Sequence, residues 1–222
     1  MRLYKFTGRA EFALSALERK RLKMGTVDDL NDPFEFRAYR IECREERREF
    51  EKHRKTFGAK AGIISFSASW HNPLLWGHYG DNHRGICLGF EVPEAALIKV
   101  NYVKERISAT PSYKAMESMR YPVELVGTKF DHWRYEEEYR LVSRLGPRDP
   151  VSGLYFAPFQ PDICLTEIVF GASCQVPLDD VEELTADFPD ISIKKARLAF
   201  TTFGLTEQKL ASHQQKRRNR RK

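Results

Sequence analysis

The sequence has few cysteines, and they are far apart. Cys43, Cys87, Cys164 and Cys174 form no CxxC pair. Zinc ribbons and fingers hold the metal with closely spaced ligand pairs, so that class of site is not indicated. Scattered thiols are typical of a reducing compartment, where disulfides are rare. We therefore expect reduced cysteines and no disulfide framework.

Long apolar runs are also missing. No stretch approaches the roughly 20 apolar residues that a membrane-spanning helix needs. The N-terminus, MRLYKFTGRAEF, lacks the apolar segment of a signal peptide. These absences predict a cytoplasmic protein of bacterial type that does not enter a membrane.

Glycine-rich nucleotide motifs are absent as well. The sequence contains neither GxxxxGK[ST], which cradles phosphates in P-loop proteins, nor GxGxxG, the Rossmann fingerprint. No GxSxG surrounds Ser65, Ser67 or Ser69, so the nucleophile elbow of a hydrolase is not indicated either. The chain is therefore expected to belong to none of these classes.

Positive charge is concentrated at the C-terminus. The formal net charge is +6, and the segment KRRNRRK, from Lys216 to Lys222, carries six positive charges, so the rest of the chain is formally neutral. The sequence has no core-facing pattern from about Glu207, which predicts a basic, disordered tail over residues 207–222. Closely spaced cations favour phosphate binding through counterion release. Nucleic acid is therefore an expected partner of this tail.

The pattern of apolar residues predicts an α+β fold. Alternating runs typical of strands, such as AGIISFSAS and ICLGFEV, are interspersed with helix-like segments. We expect a single domain over residues 1–206, with a mixed, largely antiparallel sheet and flanking helices. Residues 42–58 are predicted to form a solvated charged helix or arm. Further helices are predicted over residues 9–23 and around residues 115–119.

One segment, WHNPLLWGHYGDNHRGICLGF, is rich in chemically active side chains. Its histidines and Cys87 match no recurring spacing of metal ligands, so no metal site is predicted. LLWGHYG is expected to be a short helix, and ICLGF a core strand that buries Cys87. Four other groups either line a pocket or pack in the core, and both alternatives remain open: Trp76, His78, Tyr79 and His83.

Acidic residues are concentrated at two places. In HWRYEEEYRLV, three glutamates precede a predicted strand, and alternation along that strand puts Glu138 and Arg140 on one face. A carboxylate at the start of a strand can be held rigidly beside a cleft; the alternative is a solvated helix end. In NDPFE, Asp32 and Glu35 form a second acidic group, in which Asp32 could instead be a turn-former.

The order of several segments resembles a bacterial family. The similar segments are LYKF, NDPFE, ISFSAS, LLWGHYGDNHRGICLGF, WRYEEEYRLV and LTEIVFG. In this order they resemble the domain-of-unknown-function family 2971, from about Leu3 to Leu205. The resemblance implies a cytoplasmic bacterial protein, with phage defence as an expected setting, and it implies no reaction.

A second resemblance is to ADP-ribosyltransferase-type folds. The segment LYKFTGRAEFALSALERKRLKMG is similar to the strand and helix with which those folds begin. Those folds place a His or Arg on the first strand, an aromatic residue or Ser on a middle strand, and a Glu at the start of a later strand. The matching positions are Tyr4 or Lys5, Ser65 or Ser67, and Glu138, with Glu136 completing a carboxylate-x-Glu pair. The first strand departs from the pattern, because it has neither His nor Arg, and Lys5 supplies a cation without the planar fork of Arg.

This resemblance implies NAD or a related nucleotide as the substrate, and the residues indicate no further cofactor. Breaking the nicotinamide–ribose bond builds positive charge on the sugar, which a fixed carboxylate would stabilise. Aromatic faces would stack on a base, and histidines would contact phosphates or orient a ribose hydroxyl. The predicted catalytic residues are Glu138, Glu136 and His78. The predicted nucleotide-binding residues are Tyr4, Lys5, Ser65, Ser67, Trp76, Tyr79 and His83.

Two alternative functions remain open from the sequence. One is a non-enzymatic accessory module that binds nucleic acid through the basic tail. The other is a nuclease in which Asp32, Glu35 and Glu138 surround a divalent ion, because such ions prefer carboxylate oxygens.

Overall fold

The computed structural model describes residues 1–108, 123–159, 163–188 and 190–209. The helix predicted around residues 115–119 and the basic segment from Lys216 to Lys222 lie outside these residues. Within them, no helix has both the length and the apolar character needed to cross a membrane. The predicted tail begins at Glu207, which is the last residue of a strand.

Helices and strands alternate irregularly along the described chain. The strands are β1 (Arg2–Phe6), β2 (Arg21–Met24), β3 (Ala61–Ser67), β4 (Ile86–Glu91), β5 (Leu97–Lys99), β6 (Asn101–Val103), β7 (Thr128–Phe130), β8 (Glu138–Arg144), β9 (Tyr155–Pro158), β10 (Cys164–Phe170), β11 (Ser192–Leu198) and β12 (Leu205–Glu207). The α-helices are α1 (Ala10–Glu18), α2 (Arg44–Gly58), α3 (Pro73–Tyr79), α4 (Val123–Val126) and α5 (Leu178–Leu184). Short 3-10 helices span Val27–Asp29, Glu94–Ala96 and Asp131–Glu136.

In the described chain, eight strands form one mixed sheet. Their order across the sheet is β12-β11-β10-β4-β1-β3-β8-β5. Neighbours run antiparallel except β10 and β11, which are parallel and connected through α5. Outside this sheet, β2 pairs with β9 antiparallel and β6 pairs with β7 parallel. The predicted α+β class with a largely antiparallel mixed sheet is therefore confirmed.

The core follows from alternation along the strands. One apolar cluster packs α1, through Ala13 and Leu17, against side chains of β1, β3 and β4. Another packs Trp76 of α3 with Phe6 and Cys87. Because successive strand residues point to opposite faces, β1 and β4 contribute to both clusters. Cys87 is fully buried, as the sequence predicts.

Two predicted helices differ from the expectation. The helix predicted over residues 9–23 ends at Glu18, and the chain turns at Lys20, whose φ is 48°, into strand β2. Residues 42–58 do contain a helix, α2, and most of its side chains are exposed. It is docked rather than free, because Phe50 and Phe57 are buried in an apolar cluster with Phe36.

Strands β1 and β3 pair at one position among the described residues. Tyr4 opposes Ser67 there. Farther from this pair, β3 bonds instead to the residue after β2: Gly25 and Ile63 exchange backbone hydrogen bonds of 2.8 and 2.9 Å. The two strands therefore diverge, which leaves space between β1, β2 and β3.

Candidate functional site

A cavity of about 620 Å³ lies where β1 and β3 diverge. It is lined by residues of β1, α1, β2, β3 and the start of β8, and by the loop before β9. Apolar side chains such as Phe12, Leu154 and Phe156 share this lining with charged groups. Sites for small molecules in proteins measure about 300–1,000 Å³. The cavity is therefore large enough for a ligand such as a nucleotide.

Seven predicted site residues line this one cavity: Tyr4, Lys5, Ser65, Ser67, Tyr79, Glu136 and Glu138. The strand register explains why distant segments meet. Ser67 opposes Tyr4 of β1 on one side and Glu138 of β8 on the other. Ser65 lies two residues before Ser67 and shares its face of β3.

Three predicted site residues do not line the cavity. Trp76 is fully buried, packs edge-on against Phe6 with 5.0 Å between ring centroids, and donates from Nε1 to the Trp70 carbonyl oxygen at 2.6 Å. His83 stacks parallel to the Trp76 ring. His78 is exposed to solvent. The predicted catalytic role of His78 and the predicted nucleotide contacts of Trp76 and His83 are therefore corrected for this cavity: Trp76 packs in the core, His83 is half-buried against its ring, and His78 is exposed.

Helix α3 brings Tyr79 to the cavity. Pro73 suits the first position of a helix, and the Asn72 side-chain oxygen caps it by accepting from the Leu74 N–H at 3.0 Å. Tyr79 is the last residue of this helix. Its hydroxyl donates to a carboxylate oxygen of Glu136.

Five charged side chains form what we call the charged cluster: Glu35, Lys129, Glu136, Glu138 and Arg140. Each is at most 5% exposed. Arg140 donates to Glu35 through two hydrogen bonds of 2.7 and 2.9 Å and, from Nε, to Glu138 at 2.8 Å. Lys129 lies 2.6 Å from Glu136 and 3.3 Å from both Glu35 and Glu138. Three carboxyl groups therefore surround two cations.

Glu138, the first residue of β8, and Glu136, which lies two residues before it, differ in acidity. Burial disfavours ionisation of Glu138, but the charges of Arg140 and Lys129, with a hydrogen bond from Ser65, outweigh it and lower its pKa to about 2. For Glu136 burial is the stronger effect, and it raises the pKa despite the charge of Lys129. Glu138 is therefore an ionised carboxylate throughout the neutral range.

The backbone at Glu137 allows both neighbours to face inward. Glu137 ends the 3-10 helix Asp131–Glu136 with a left-handed conformation, φ 45° and ψ 50°, and its side chain is exposed. This conformation is uncommon for a residue with a side chain and costs free energy. It turns the chain into β8, so Glu136 and Glu138 are both buried while Glu137 is in solvent.

Several groups of the site have no clear signal in the sequence. Lys129 lies in TKF, where nothing local marks a buried lysine. Asn31 donates to the Tyr79 hydroxyl at 2.7 Å. Burial, followed by the charge of Glu136, raises the pKa of that hydroxyl. Arg140 was placed correctly on the face of Glu138, but its bonds to Glu35 depend on a contact that the sequence does not reveal.

Tyr4 connects the cavity with a second buried carboxylate. Its hydroxyl donates to Glu167 at 2.8 Å, and Glu167, which is fully buried, also pairs with Lys194. Gly89 makes room for this contact, because a Cβ there would lie 2.9 Å from the Glu167 Cβ and 3.2 Å from the Tyr4 ring. A lone glutamate within the apolar strand LTEIVFG was the available signal, since a buried carboxylate requires partners.

The described residues include no group of three His, Cys, Asp or Glu side chains placed to hold a metal ion. Of the three predicted nuclease ligands, Glu35 and Glu138 are bridged by the guanidinium of Arg140. Asp32 accepts a hydrogen bond from the Phe34 N–H at 2.9 Å, which fits its alternative role as a turn-former. A divalent ion between the two glutamates would have to displace a fully buried arginine.

Comparisons of the chain with protein-family models, with curated proteins and with solved structures find no match. The resemblances to family 2971 and to ADP-ribosyltransferase-type folds therefore stay predictions. The site itself consists of a buried, ionised glutamate that lines one cavity together with two serines and a lysine.

Proposed function

We propose that the chain is an ADP-ribosyltransferase-like enzyme that cleaves the N-glycosidic bond of NAD or a related nucleotide. The observation that carries the proposal is the position of Glu138. It stands at the start of β8, ionised, in the same cavity as Lys5 of β1 and Ser65 of β3. These are the three segments that an enzyme of this kind would need to bring together.

The chemistry requires a fixed negative charge beside the sugar. When the glycosidic bond breaks, its electron pair leaves with the base, and positive charge develops on the ribose carbon and ring oxygen. A carboxylate held in place before the reaction stabilises that charge without reorganising. Glu138 meets this need because its pKa of about 2 keeps it charged. Arg140 and Lys129 hold it in one orientation.

The neighbours of Glu138 support the same reaction. Arg140 and Lys129 bond to the Glu138 carboxylate and also to the neighbouring Glu35 and Glu136, so neither cation is paired with Glu138 alone. The Ser65 hydroxyl is among the groups that lower the pKa of Glu138, and Ser65 lines the cavity together with Ser67. Hydroxyls at this place can orient a ribose.

Nicotinamide release tests the proposal. Wild-type protein should release nicotinamide from NAD, measured by chromatography, and millimolar NAD should raise its melting temperature. Glu138→Gln should lose turnover by about 100-fold or more, the scale of a lost transition-state contact. Glu137→Gln, which removes an exposed charge one residue away, is the matched control and should keep full activity. Wild-type protein with neither NAD-dependent stabilisation nor nicotinamide release would disprove the proposal.

A second variant protects this test against misfolding. Glu138→Gln removes a partner of two buried cations and is expected to be less stable, so its fold is checked by circular dichroism. Ser65→Ala makes a smaller change and should also lower turnover, because the Ser65 hydroxyl helps to keep Glu138 ionised and lines the cavity where the ribose would bind. Unchanged turnover in a folded Ser65→Ala protein would count against the assignment of Glu138.

The cellular setting proposed with this activity is the cytoplasm of a bacterium, with phage defence as the role that the family resemblance implies. Binding of nucleic acid by the segment from Lys216 to Lys222 is the alternative, and it is supported by the six charges there. Deleting residues 216–222 should then abolish binding, and binding should fall steeply with salt. Binding that survives the deletion would exclude the tail as the contact.

A further inference from the structure

One part of the cavity lining is basic. Four cationic side chains, which we call the basic wall, line the cavity from β1, the residue after α1, and β2: Lys5, Arg19, Arg21 and Lys23. These elements are separate from β7, β8 and the 3-10 helix that supply most of the charged cluster. The cavity therefore combines a cationic lining from one group of elements with an anionic lining from another.

Lys5 is the most unusual member of the basic wall. Its ammonium makes no hydrogen bond or ion pair with any residue that the structure describes. Burial lowers its pKa, Glu138 opposes that change, and the charge of Lys23 adds to it. Lys5 is half-buried, and an ammonium without a bonded partner in the described chain keeps its N–H donors for a ligand or for water.

Arg21 also has unused donor capacity. Its guanidinium lies 3.8 Å from the centre of the Phe156 ring and donates from Nη1 to Asp149 at 2.8 Å. Its Nε is buried and lacks a hydrogen-bond partner within the described chain. The contact with Phe156 and the bond to Asp149 hold the guanidinium in place in the cavity lining.

The carboxylates nearest to the basic wall are already engaged. Asp149 accepts from Arg21 and from the N–H and hydroxyl of Ser152. Asp29 accepts from the N–H and hydroxyl of Thr26. Neither carboxylate bonds to Lys5 or Lys23. The basic wall consequently has more positive charge than its protein neighbours neutralise.

We infer that the basic wall is a phosphate subsite and that the ligand of this cavity is a phosphorylated nucleotide rather than a nucleoside. Phosphate oxygens supply the acceptors that the ammonium groups of Lys5 and Lys23 lack within the described chain. The inference rests on the proposed function for the sugar, which would face Glu138. It adds that the anionic end of the same molecule contacts β1 and β2.

Paired ligands with and without phosphate test the subsite. Calorimetry with ADP and adenosine should show that wild-type protein binds ADP at least 10-fold more tightly, and that the difference shrinks as salt increases. Lys5→Met and Lys23→Met should each lose most of the preference for ADP and leave adenosine binding unchanged. Lys60→Met, an exposed lysine outside the cavity, is the control with the same charge change and should behave as wild type.

The stability of Lys5→Met separates a ligand-binding role from a structural one. Replacing this half-buried ammonium, which has no bonded partner in the described chain, by an apolar side chain of similar length should raise the melting temperature of the free protein. A structural lysine would give a lower melting temperature. Equal affinity for ADP and adenosine, or equal losses in Lys5→Met and Lys60→Met, would overturn the subsite.

The subsite and the proposed reaction can fail separately. Protein that prefers ADP over adenosine but releases no nicotinamide would retain the subsite and refute the reaction. Protein that cleaves nicotinamide riboside as efficiently as NAD would retain the reaction and refute the subsite.

Discussion

Arg140 holds Glu35 through two hydrogen bonds of 2.7 and 2.9 Å, although 105 positions of the chain separate them. This contact ties the loop after the first 3-10 helix to β8, the strand next to the edge strand β5. Arg140→Leu should therefore destabilise the protein by about 3–5 kcal/mol, the cost of leaving buried carboxylates with one cation fewer. Urea unfolding at neutral pH measures the change. Arg144→Leu, exposed on the same strand, should stay within about 0.5 kcal/mol, and similar losses in both variants would contradict the role of Arg140.

Acid should act in opposite directions through the two buried glutamates. The pKa of Glu138 falls from 4.5 to about 2 on folding, so its contribution to stability is complete above pH 4.5 and is lost as the pH falls towards 2. The pKa of Glu136 is raised, so protonation relieves an unfavourable charge as the pH falls through its folded value towards 4.5. Urea unfolding across this range should show that Glu138→Gln flattens the acid loss and Glu136→Gln steepens it at its upper end. Identical pH profiles for the two variants would be incompatible with these environments.

Removing the Tyr79 hydroxyl should lower the stability of the protein, while the Tyr79 ring still lines the cavity. Tyr79→Phe takes a donor from Glu136 and an acceptor from Asn31, at a cost of about 1–3 kcal/mol. The pKa of Glu136 should rise further, because that hydrogen bond favours its ionised form. Carboxyl carbon chemical shifts followed by NMR during a pH titration report this change. Tyr135→Phe, half-buried nearby, is the control and should leave the Glu136 titration nearly unaltered.

Two glycines near α3 should respond in opposite ways to alanine. A Cβ on Gly85 would overlap the carbonyl oxygen of Gly8 and crowd that of Gly80, and both belong to the backbone. Gly85→Ala should therefore cost at least about 2 kcal/mol, since the chain has to shift. At Gly77, inside α3, a Cβ meets no atom of the described chain within 4 Å. Gly77→Ala should be neutral or stabilising by up to about 1 kcal/mol in thermal unfolding, because alanine favours the helix.

The sequence predicted the central strands because their residues alternate or form short apolar runs. It also predicted that Glu138 and Arg140 share a face, since that follows from strand geometry alone. The prediction was wrong where residues that are close in the sequence, such as Trp76 and His78, were expected to line the same pocket. Along α3, residues are separated by about 100° of rotation, so Trp76 is buried while His78, two residues later, is exposed.

Other features of the site depend on contacts between distant segments. The role of Lys129 arises from three glutamates that come from two other parts of the chain, and no local pattern specifies that meeting. The basic wall likewise depends on the position of β2. Gly25, the residue after β2, bonds to Ile63 of β3. A single sequence contains the residues of such a site but not the register that unites them.

The pairing of β1 with β3 has a mechanical consequence for the cavity. β3 and β8 share seven register pairs and β1 and β4 share five, whereas Tyr4 and Ser67 are the one register pair between β1 and β3 in the described chain. The lining from β1 and the lining from β3 and β8 thus belong to two stiff halves of the sheet with a narrow joint between them. Rotation about that joint would change the distance from Lys5 to Glu138 while breaking few backbone hydrogen bonds. A molecule that contacts both linings would therefore bridge the two neighbouring strands that share the fewest register pairs among these three pairings.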